Sequence, residues 1–179
     1  IGNRSSGKQG HAIAAELARF GAKVTLVSGP VALPDPVGVH TIHVESADDM
    51  LAACMKALPA DIAVCAAAVA DWKIDAPSLQ KIKKGAGSMP PTLSFSENPD
   101  ILASISQNAQ RPTLVVGFAA ETENVIANSQ EKLLRKGCDW IVANQVGTSE
   151  NPGFGVDHNQ VTLVTRTTSE NWPSLPKED

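Results

Sequence analysis

Residues 2–10 of the chain read GNRSSGKQG, and they lead directly into an apolar helical pattern formed by Ala12, Ile13, Leu17 and Ala18. A glycine-rich loop that enters a helix directs several backbone N–H groups, and the positive end of the helix dipole, toward one point. The stretch therefore favours a bound anion such as a phosphate or a carboxylate. A simple tight turn before a helix would explain the glycines equally well, but it gives the asparagine, the serines and the lysine of the loop no role.

This loop fits neither of two familiar phosphate-binding motifs completely. Gly2 to Lys8 have the GxxxxGK spacing of a P-loop, but Gln9 takes the place of the Ser or Thr that holds magnesium. The dinucleotide fingerprint GxGxxG requires a glycine at position 5, where the chain has serine, so only Gly7 and Gly10 match it. Both matches are weak evidence for a nucleotide.

Length and composition predict one domain with a single core. The chain has 179 residues, 42% of them hydrophobic, and a net charge of −4. The length favours a single domain, and the charge argues against general binding of nucleic acid. No apolar run is long enough for a membrane-spanning helix. Because Cys54, Cys65 and Cys138 form no CxxC pair and the histidines are scattered, we expect reduced thiols, a cytoplasmic protein and no metal held by protein ligands.

Apolar strand-like runs alternate with helical patterns, which is typical of a parallel sheet covered by helices on both faces. We therefore predict an α/β fold with a Rossmann-like, doubly wound and mostly parallel sheet. The last strand should be antiparallel and lie at an edge, and the polar tail from residue 167 to residue 179 should be loose. The predicted strands are 23–28, 39–44, 61–67, 113–118, 140–146 and 159–165, and the predicted helices are 8–20, 48–58, 99–107 and 122–137.

The stretch 73–96 interrupts this alternation. Prolines and glycines surround the basic segment Lys81-Ile82-Lys83-Lys84 and the short run 92–95. We predict a β excursion from the sheet, with two short β segments joined by a glycine-rich tip. Such an excursion would serve as a lid or as a dimer arm.

Ligands of open parallel sheets bind beyond the carboxyl ends of the strands, which directs attention to four segments: 2–10, 66–71, 117–122 and 143–144. The alanines from 66 to 70 would let a flat ligand approach the backbone, and Asp71 could accept hydrogen bonds from a ribose. Packing beneath a helix and capping of a turn would explain the same residues equally well. Phe118, which follows a buried strand, is more typical of a core than of a base-stacking surface.

Two further features could bind phosphate. Lys132, Arg135 and Lys136 have i, i+3 and i+4 spacing, which places them on one face of a helix; a solvated surface is the ordinary meaning of such a face. Asn98 and Pro99 resemble a helix start, with Asn98 as the N-cap and Pro99 in the first helical position. Helix N-termini also receive phosphates.

Taken in order, six segments of the chain resemble one family: NRSSGKQG, CAAAVADW, KIKK, ENPDIL, GFAAET and ANQV. These segments are similar to those of the phosphopantothenate–cysteine ligases of coenzyme A synthesis, in their bacterial, CTP-dependent form, from Ile1 to about Thr165. The resemblance implies a Rossmann-like homodimer that joins 4′-phosphopantothenate to L-cysteine. CTP would first transfer CMP to the carboxylate with release of pyrophosphate, and the cysteine amine would then attack the acyl cytidylate. Mg²⁺ would arrive with the triphosphate.

The resemblance also implies roles for individual residues. Lys81 matches the catalytic lysine, whose charge would stabilise the phosphates, and Asn3 matches the asparagine that binds the acyl cytidylate. Asp71 would take the ribose hydroxyls, Phe118 would pack near the base, and the segment after Lys81 would act as a flap across the dimer. The other nucleotide-binding residues that it implies are Ser6, Gly7, Cys65, Ala66, Ala67, Pro99, Asp100, Ile101, Leu102, Lys132 and Lys136, and the intermediate would also contact Ala67, Ala68 and Asn144.

Three departures from the family pattern are visible. Gly2 stands where Ser or Thr is usual, and the family's segment before the loop and its C-terminal helix are missing, so residues 1–179 are expected to be one domain truncated at both ends. Bacterial members are often fused to a preceding flavin-dependent decarboxylase. We expect no flavin in this chain.

Two other interpretations remain open. An NAD(P)-dependent reductase would share the doubly wound sheet, but it would need GxGxxG and an acidic residue at the end of its second strand, where the chain has Ser28-Gly29-Pro30. A non-catalytic nucleotide-binding domain would explain the loop without any role for Lys81. The preference for CTP over ATP rests on the resemblance alone.

Overall fold

The structure, a computed structural model, describes residues 6–75, 92–147 and 158–176. Within these ranges the helices are α1 (Lys8–Arg19), α2 (Ala47–Lys56), α3 (Ile101–Ser106) and α4 (Val125–Lys136). The strands are β1 (Thr25–Ser28), β2 (His40–His43), β3 (Ile62–Cys65), β4 (Trp72–Ile74), β5 (Phe95–Glu97), β6 (Leu114–Glu121), β7 (Trp140–Gln145), β8 (His158–Asn159), β9 (Val161–Val164), β10 (Ser169–Asn171) and β11 (Leu175–Pro176). No helix in these ranges is long and apolar enough to cross a membrane.

The central sheet has five strands in the order β10-β9-β7-β6-β3. β3 and β7 both pair in parallel with β6, which places the carboxyl ends of these three strands at the same edge. β1 and β2 form a separate parallel pair. The predicted α/β architecture, with a mostly parallel sheet and helices, is confirmed.

The predictions for the last strands need correction. β9 is antiparallel, as predicted, but it lies between β7 and β10 instead of at an edge. The tail is not loose at residues 169–171 and 175–176, because β10 pairs with β9 and β11 pairs with β8. The Thr165 hydroxyl oxygen accepts the N–H groups of Thr167 and Thr168, at 3.3 and 3.0 Å. The polar residues therefore form a hairpin turn instead of a solvated tail.

The β excursion is present as a two-stranded antiparallel ribbon of β4 and β5. Trp72 lies opposite Glu97, and Ile74 lies opposite Phe95. The tip of the predicted excursion, including the basic segment 81–84, lies outside the described residues. Lys73 lies between Trp72 and Ile74 and points to the opposite face of the ribbon from them. On that face its Nζ is 2.6 Å from Oδ2 of Asp48 in α2.

The core is centred on the packing of α3 against β6. Gly117 of β6 is buried beneath α3, and a Cβ atom built on it would lie 2.6 Å from Cδ2 of Leu102 and 2.8 Å from Cδ1 of Ile141. Only a glycine allows the helix to approach the strand this closely. The surrounding buried residues come from α2, α3, α4, β6, β7 and β9 and include Met50, Ile101, Ile105, Val115, Ala119, Leu133, Ala143 and Val164.

A single added methyl group should therefore test this packing. We expect Gly117→Ala to lower the free energy of unfolding by about 1–3 kcal/mol, because the core must shift to accept it. Gly29→Ala is the matched control, since its Cβ would lie at an ordinary 3.7 Å from Cε of Met50. Urea unfolding followed by circular dichroism measures both. Equal stability of the two variants would contradict the proposed packing constraint.

Candidate nucleotide-binding cleft

A cleft of about 340 Å³ lies beside the carboxyl ends of β3 and β6. It has the size of a small-molecule site, for which roughly 300–1,000 Å³ is usual. Its lining combines three cations, three carboxylates and one amide: Lys132, Arg135, Lys136, Asp71, Glu121, Glu131 and Asn128. The structure thus brings Asp71, which follows β3, together with the basic face of α4.

The sequence of α4 explains why this face meets the cleft. The helix begins after Asn124 and ends at Gly137, whose positive φ of 74° and N–H bond to the Leu133 carbonyl stop it. Ser129 and Leu133, four residues apart, are fully buried against the sheet. Lys132 and Lys136 are also four residues apart, three positions later along the helix, so they project together beside the buried stripe.

Lys132 reaches from α4 across to β6. Its Nζ donates a hydrogen bond of 2.8 Å to the carbonyl oxygen of Phe118. Burial lowers the pKa of the Lys132 ammonium, as do the charges of Lys136 and Arg135, whereas the carboxylate of Glu121 opposes the change. An anion that enters the cleft would therefore meet a partly desolvated cation, whose attraction is stronger than that of an exposed one.

Lys136 forms an ion pair with Asp100 at the start of α3. The other oxygen of this carboxylate accepts the N–H of Ala103 at 3.0 Å, which makes Asp100 the N-cap. Partial burial alone would raise the pKa of Asp100, but the hydrogen bond and charge of Lys136, together with the Ala103 N–H, hold it below its usual value. The prediction that Asn98 caps this helix is therefore wrong.

Asn98 instead ties the return of the ribbon to the end of β3. Its backbone N–H donates to the Asp71 carbonyl at 2.8 Å, and its side-chain Nδ2 donates to the Ala70 carbonyl, also at 2.8 Å. The physical reason is that the ribbon uses both donors of Asn98, while Asp100 is itself extended, with a ψ of 93°, and places its carboxylate on the first turn of the helix. Asn98 then continues β5, and the cap passes to the acidic residue after the proline.

The loop at the start of α1 contains a position that only glycine fits. Gly7 is the N-cap of α1, with a φ of 76°, and a Cβ atom on it would lie 2.9 Å from Cγ1 of Val31. Its carbonyl oxygen accepts the N–H of His11 at 3.0 Å and lies 3.1 Å from Nδ1 of the same residue. Ser6, just before it, is exposed. The loop therefore enters α1 as a tight turn.

The alanines after β3 lie next to this turn. A Cβ atom on Gly10 would be 3.9 Å from the Cβ of Ala66. Ala67 and Ala68 are exposed. Cys65, just before Ala66, is more buried, and this burial raises the pKa of its thiol to about 12. Cys65 therefore stays protonated near neutral pH and can contribute only packing.

The other residues predicted to contact the nucleotide or the intermediate differ in burial and in location. The side chains of Ile101 and Leu102 are each 9% exposed and belong to the core, so only their backbone could meet a ligand. Phe118 lies inside β6, which continues to Glu121 instead of ending at residue 118. Asn144 is half-buried in β7, opposite Ala120. Asn3 and Lys81 lie outside the described residues, and their roles stay predictions.

Asn128 and Glu131 also line the cleft, although neither is among the site residues predicted from the sequence. Asn128 donates from Nδ2 to Oε2 of Glu121 at 3.1 Å and to the Glu123 carbonyl at 3.1 Å. It therefore fixes the carboxylate of Glu121 beside Lys132. Helical periodicity could have identified both residues, because positions 128, 131, 132 and 135 fall on one face of a helix. Among the described residues no group of three His, Cys, Asp or Glu could hold a metal ion.

The sequence profile of the DNA/pantothenate metabolism flavoprotein C-terminal domain family matches residues 1–179. The chain belongs to this family.

Individual relatives agree with this assignment. The coenzyme A biosynthesis bifunctional protein CoaBC of Mycobacterium tuberculosis is 46% identical over 175 residues, which cover 92% of this chain and 41% of that protein. The chain thus spans less than half the length of the curated relatives it matches. The crystal structure of a CoaBC C-terminal domain is 34% identical, with a TM-score of 0.79, and the match covers 98% of this chain and 78% of that one. The family expected from the sequence motifs is confirmed.

A more distant solved structure shares the fold alone. The Cab2 mutant H337A, in complex with phosphopantothenate-cysteine, has a TM-score of 0.71 at 16% identity. The match covers 96% of this chain and 73% of that protein. The fold therefore extends well beyond the range of close sequence similarity.

Two substitutions in the cleft should change anion affinity in opposite directions. We expect Lys132→Met to weaken binding of inorganic tripolyphosphate at least about tenfold, or ~1.4 kcal/mol, because it removes a partly buried cation. Asp100→Asn should strengthen binding, because it releases Lys136 from its ion pair. Isothermal titration calorimetry without magnesium measures both effects.

The exposed Lys56 of α2 provides the control. Lys56→Met removes the same charge away from the cleft, and we expect its affinity to stay within about twofold of the wild type, as is usual for a screened surface charge. If the Lys56 and Lys132 variants lose affinity equally, general charge explains the binding and the cleft does not.

Proposed function

We propose that this domain is a phosphopantothenate–cysteine ligase, which joins 4′-phosphopantothenate to L-cysteine at the expense of CTP. The observation that carries the proposal is the basic face of α4 at the carboxyl ends of β3 and β6, in a chain of this family. The bifunctional coenzyme A biosynthesis relatives support the pathway. The phosphopantothenate-cysteine bound to Cab2 supports the substrate class at the level of the fold.

The cleft suits a nucleoside triphosphate. Lys132, Arg135 and Lys136 would neutralise the phosphates, and the carboxylate of Asp71 would accept the ribose hydroxyls at the opposite wall. Three carboxylates also line the cleft, so a bare triphosphate would meet repulsion as well as attraction. Mg²⁺ that arrives with the triphosphate would offset part of this negative charge.

Chemistry would proceed in two steps. A carboxylate oxygen of phosphopantothenate attacks the α-phosphorus of CTP, forming a P–O bond while the bond to the β-phosphate breaks and pyrophosphate leaves. The cysteine nitrogen then attacks the activated carbonyl carbon, a C–N bond forms, CMP leaves and the amine proton passes to solvent. Lys81 would stabilise charge in the first step, and Asn3 would bind the acyl cytidylate during the second.

The resemblance further implies a cytoplasmic homodimer, and two observations are in keeping with it. Trp72 and Phe95 of the ribbon are 56% and 53% exposed, and with Ile74 they lie on one face. Exposed aromatic clusters of this kind are typical of interaction surfaces, so we propose that a second copy covers them. The three cysteines are unpaired. The bifunctional relatives agree with a flavin-dependent decarboxylase as the neighbouring domain.

Release of pyrophosphate tests the proposed function directly. We expect it to require both CTP and phosphopantothenate and to begin before cysteine is added, because the carboxylate must be activated first. A coupled pyrophosphate assay measures it, with each substrate omitted in turn and with ATP in place of CTP as the test of base preference. Binding of NADPH with no release of pyrophosphate would contradict the proposal and favour a reductase.

Two substitutions should separate the half-reactions. Lys81→Gln should slow formation of the acyl cytidylate at least about 100-fold, because the cation that stabilises the phosphates is lost. Asn3→Asp should let the intermediate accumulate and fail at amide formation. Quenched reactions with α-labelled CTP measure both steps.

Lys84→Gln is the control, since it removes the same charge from the same segment. We expect both of its half-reactions to stay near wild-type rates. Equal loss of both steps in the Lys81 and Asn3 variants would refute the assignment of separate roles.

A further inference from the structure

The base of the ribbon is held by one residue with two hydrogen bonds. The chain leaves the sheet after β3 through Ala70 and Asp71, and it returns through Asn98. At this crossing the Asn98 side chain bonds to the Ala70 carbonyl and its backbone N–H bonds to the Asp71 carbonyl, each at 2.8 Å. Two consecutive peptide groups next to the cleft are thus fixed from one position.

The chemistry of this position requires a side-chain donor of short reach. Ala70 offers an acceptor, so an amide N–H satisfies it, whereas a carboxylate of the same shape would repel it. Pro99 holds the backbone of Asn98 in the extended conformation that continues β5. The half-buried setting makes the bond more resistant to competition from water than an exposed one.

The carboxylate that these bonds position is the one on the cleft wall. Asp71 is exposed and lines the cleft, and within the part of the chain that the structure describes its side chain makes no hydrogen bond that would fix the turn. The other restraint on the ribbon, the ion pair of Lys73 with Asp48, acts on the opposite face and further from the crossing. The orientation of the Asp71 carboxylate in the cleft therefore depends mainly on the two hydrogen bonds of Asn98.

We propose that Asn98 is a positioning residue for the nucleotide: it holds the Ala70–Asp71 turn so that the Asp71 carboxylate faces the bound ribose. This inference rests on the proposed function, since it assumes that Asp71 contacts the nucleotide. It assigns Asn98 to nucleotide binding instead of to the helix start that its sequence suggests. Binding of phosphopantothenate and binding of cysteine should not depend on Asn98.

Steady-state kinetics of pyrophosphate release would show the role. We expect Asn98→Asp and Asn98→Ala to raise KM for CTP about tenfold while kcat and KM for phosphopantothenate change less than about threefold, a pattern of lost binding rather than lost chemistry. Asp71→Ala should have a similar effect. In the double variant Asn98→Ala/Asp71→Ala the effects should not multiply, because residues that act through one contact are coupled.

Asn108→Ala is the matched control. Asn108 follows α3 at its other end, and its side chain also makes one donor bond, to Sδ of Met55 at 3.3 Å. We expect its KM for CTP to equal that of the wild type. If the Asn98 and Asn108 variants behave alike, or if the Asn98 and Asp71 effects multiply, the role of Asn98 is structural and the proposal is overturned.

Amide hydrogen exchange on the ligand-free protein gives a reading that does not depend on activity. In Asn98→Asp, exchange should become faster at residues 73, 96 and 98, whose amides stand at hydrogen-bonded positions of the ribbon, with the strands β6 and β7 unchanged. Unaltered exchange at these three amides would overturn the inference even for an inactive chain. A wild-type chain that neither binds CTP nor releases pyrophosphate would instead refute the proposed function, and the exchange result would stand by itself.

Discussion

The absence of a side chain at Gly117 is the constraint on which the cleft depends. With no Cβ on this strand residue, α3 lies directly on β6, and its Leu102 occupies the space that a methyl group would need. This depth of packing sets how close the start of α3 lies to β6. Because Asp100 caps that helix and Asn98 precedes it, one glycine in the core places both the partner of Lys136 and the residue that holds the Asp71 turn.

Much of this arrangement follows from sequence patterns that reflect simple geometry. The i, i+3 and i+4 spacing of Lys132, Arg135 and Lys136 places them on one helical face, and the structure shows that face in the cleft. Asp71 follows the apolar strand β3, and parallel strands end at one edge. The first prediction succeeds because helical periodicity is a local property, and the second because the alternation of strands and helices along the chain favours parallel pairing.

The errors arise where a neighbouring element overrides a local signal. Asn98 is a residue type that favours the N-cap, but the carbonyls of Ala70 and Asp71 bind its side chain and its backbone N–H within the ribbon. β6 continues to Glu121 because β7 offers a parallel ladder up to Gln145, although alanines are poor strand formers. No pattern within a single segment contains these partners, so the sequence could not reveal them.

Two of the three cations of the cleft are already ordered before a ligand binds, and this bears on selectivity. Lys132 is held by the Phe118 carbonyl and Lys136 by Asp100, so little side-chain entropy remains to be lost when an anion arrives. The same contacts must be exchanged for contacts to the ligand. A weak anion such as chloride gains too little from this exchange, whereas a triphosphate replaces one carboxylate or carbonyl with several charged oxygens. The resting contacts thus favour polyanions over single charges, and they do so without excluding small ions by shape.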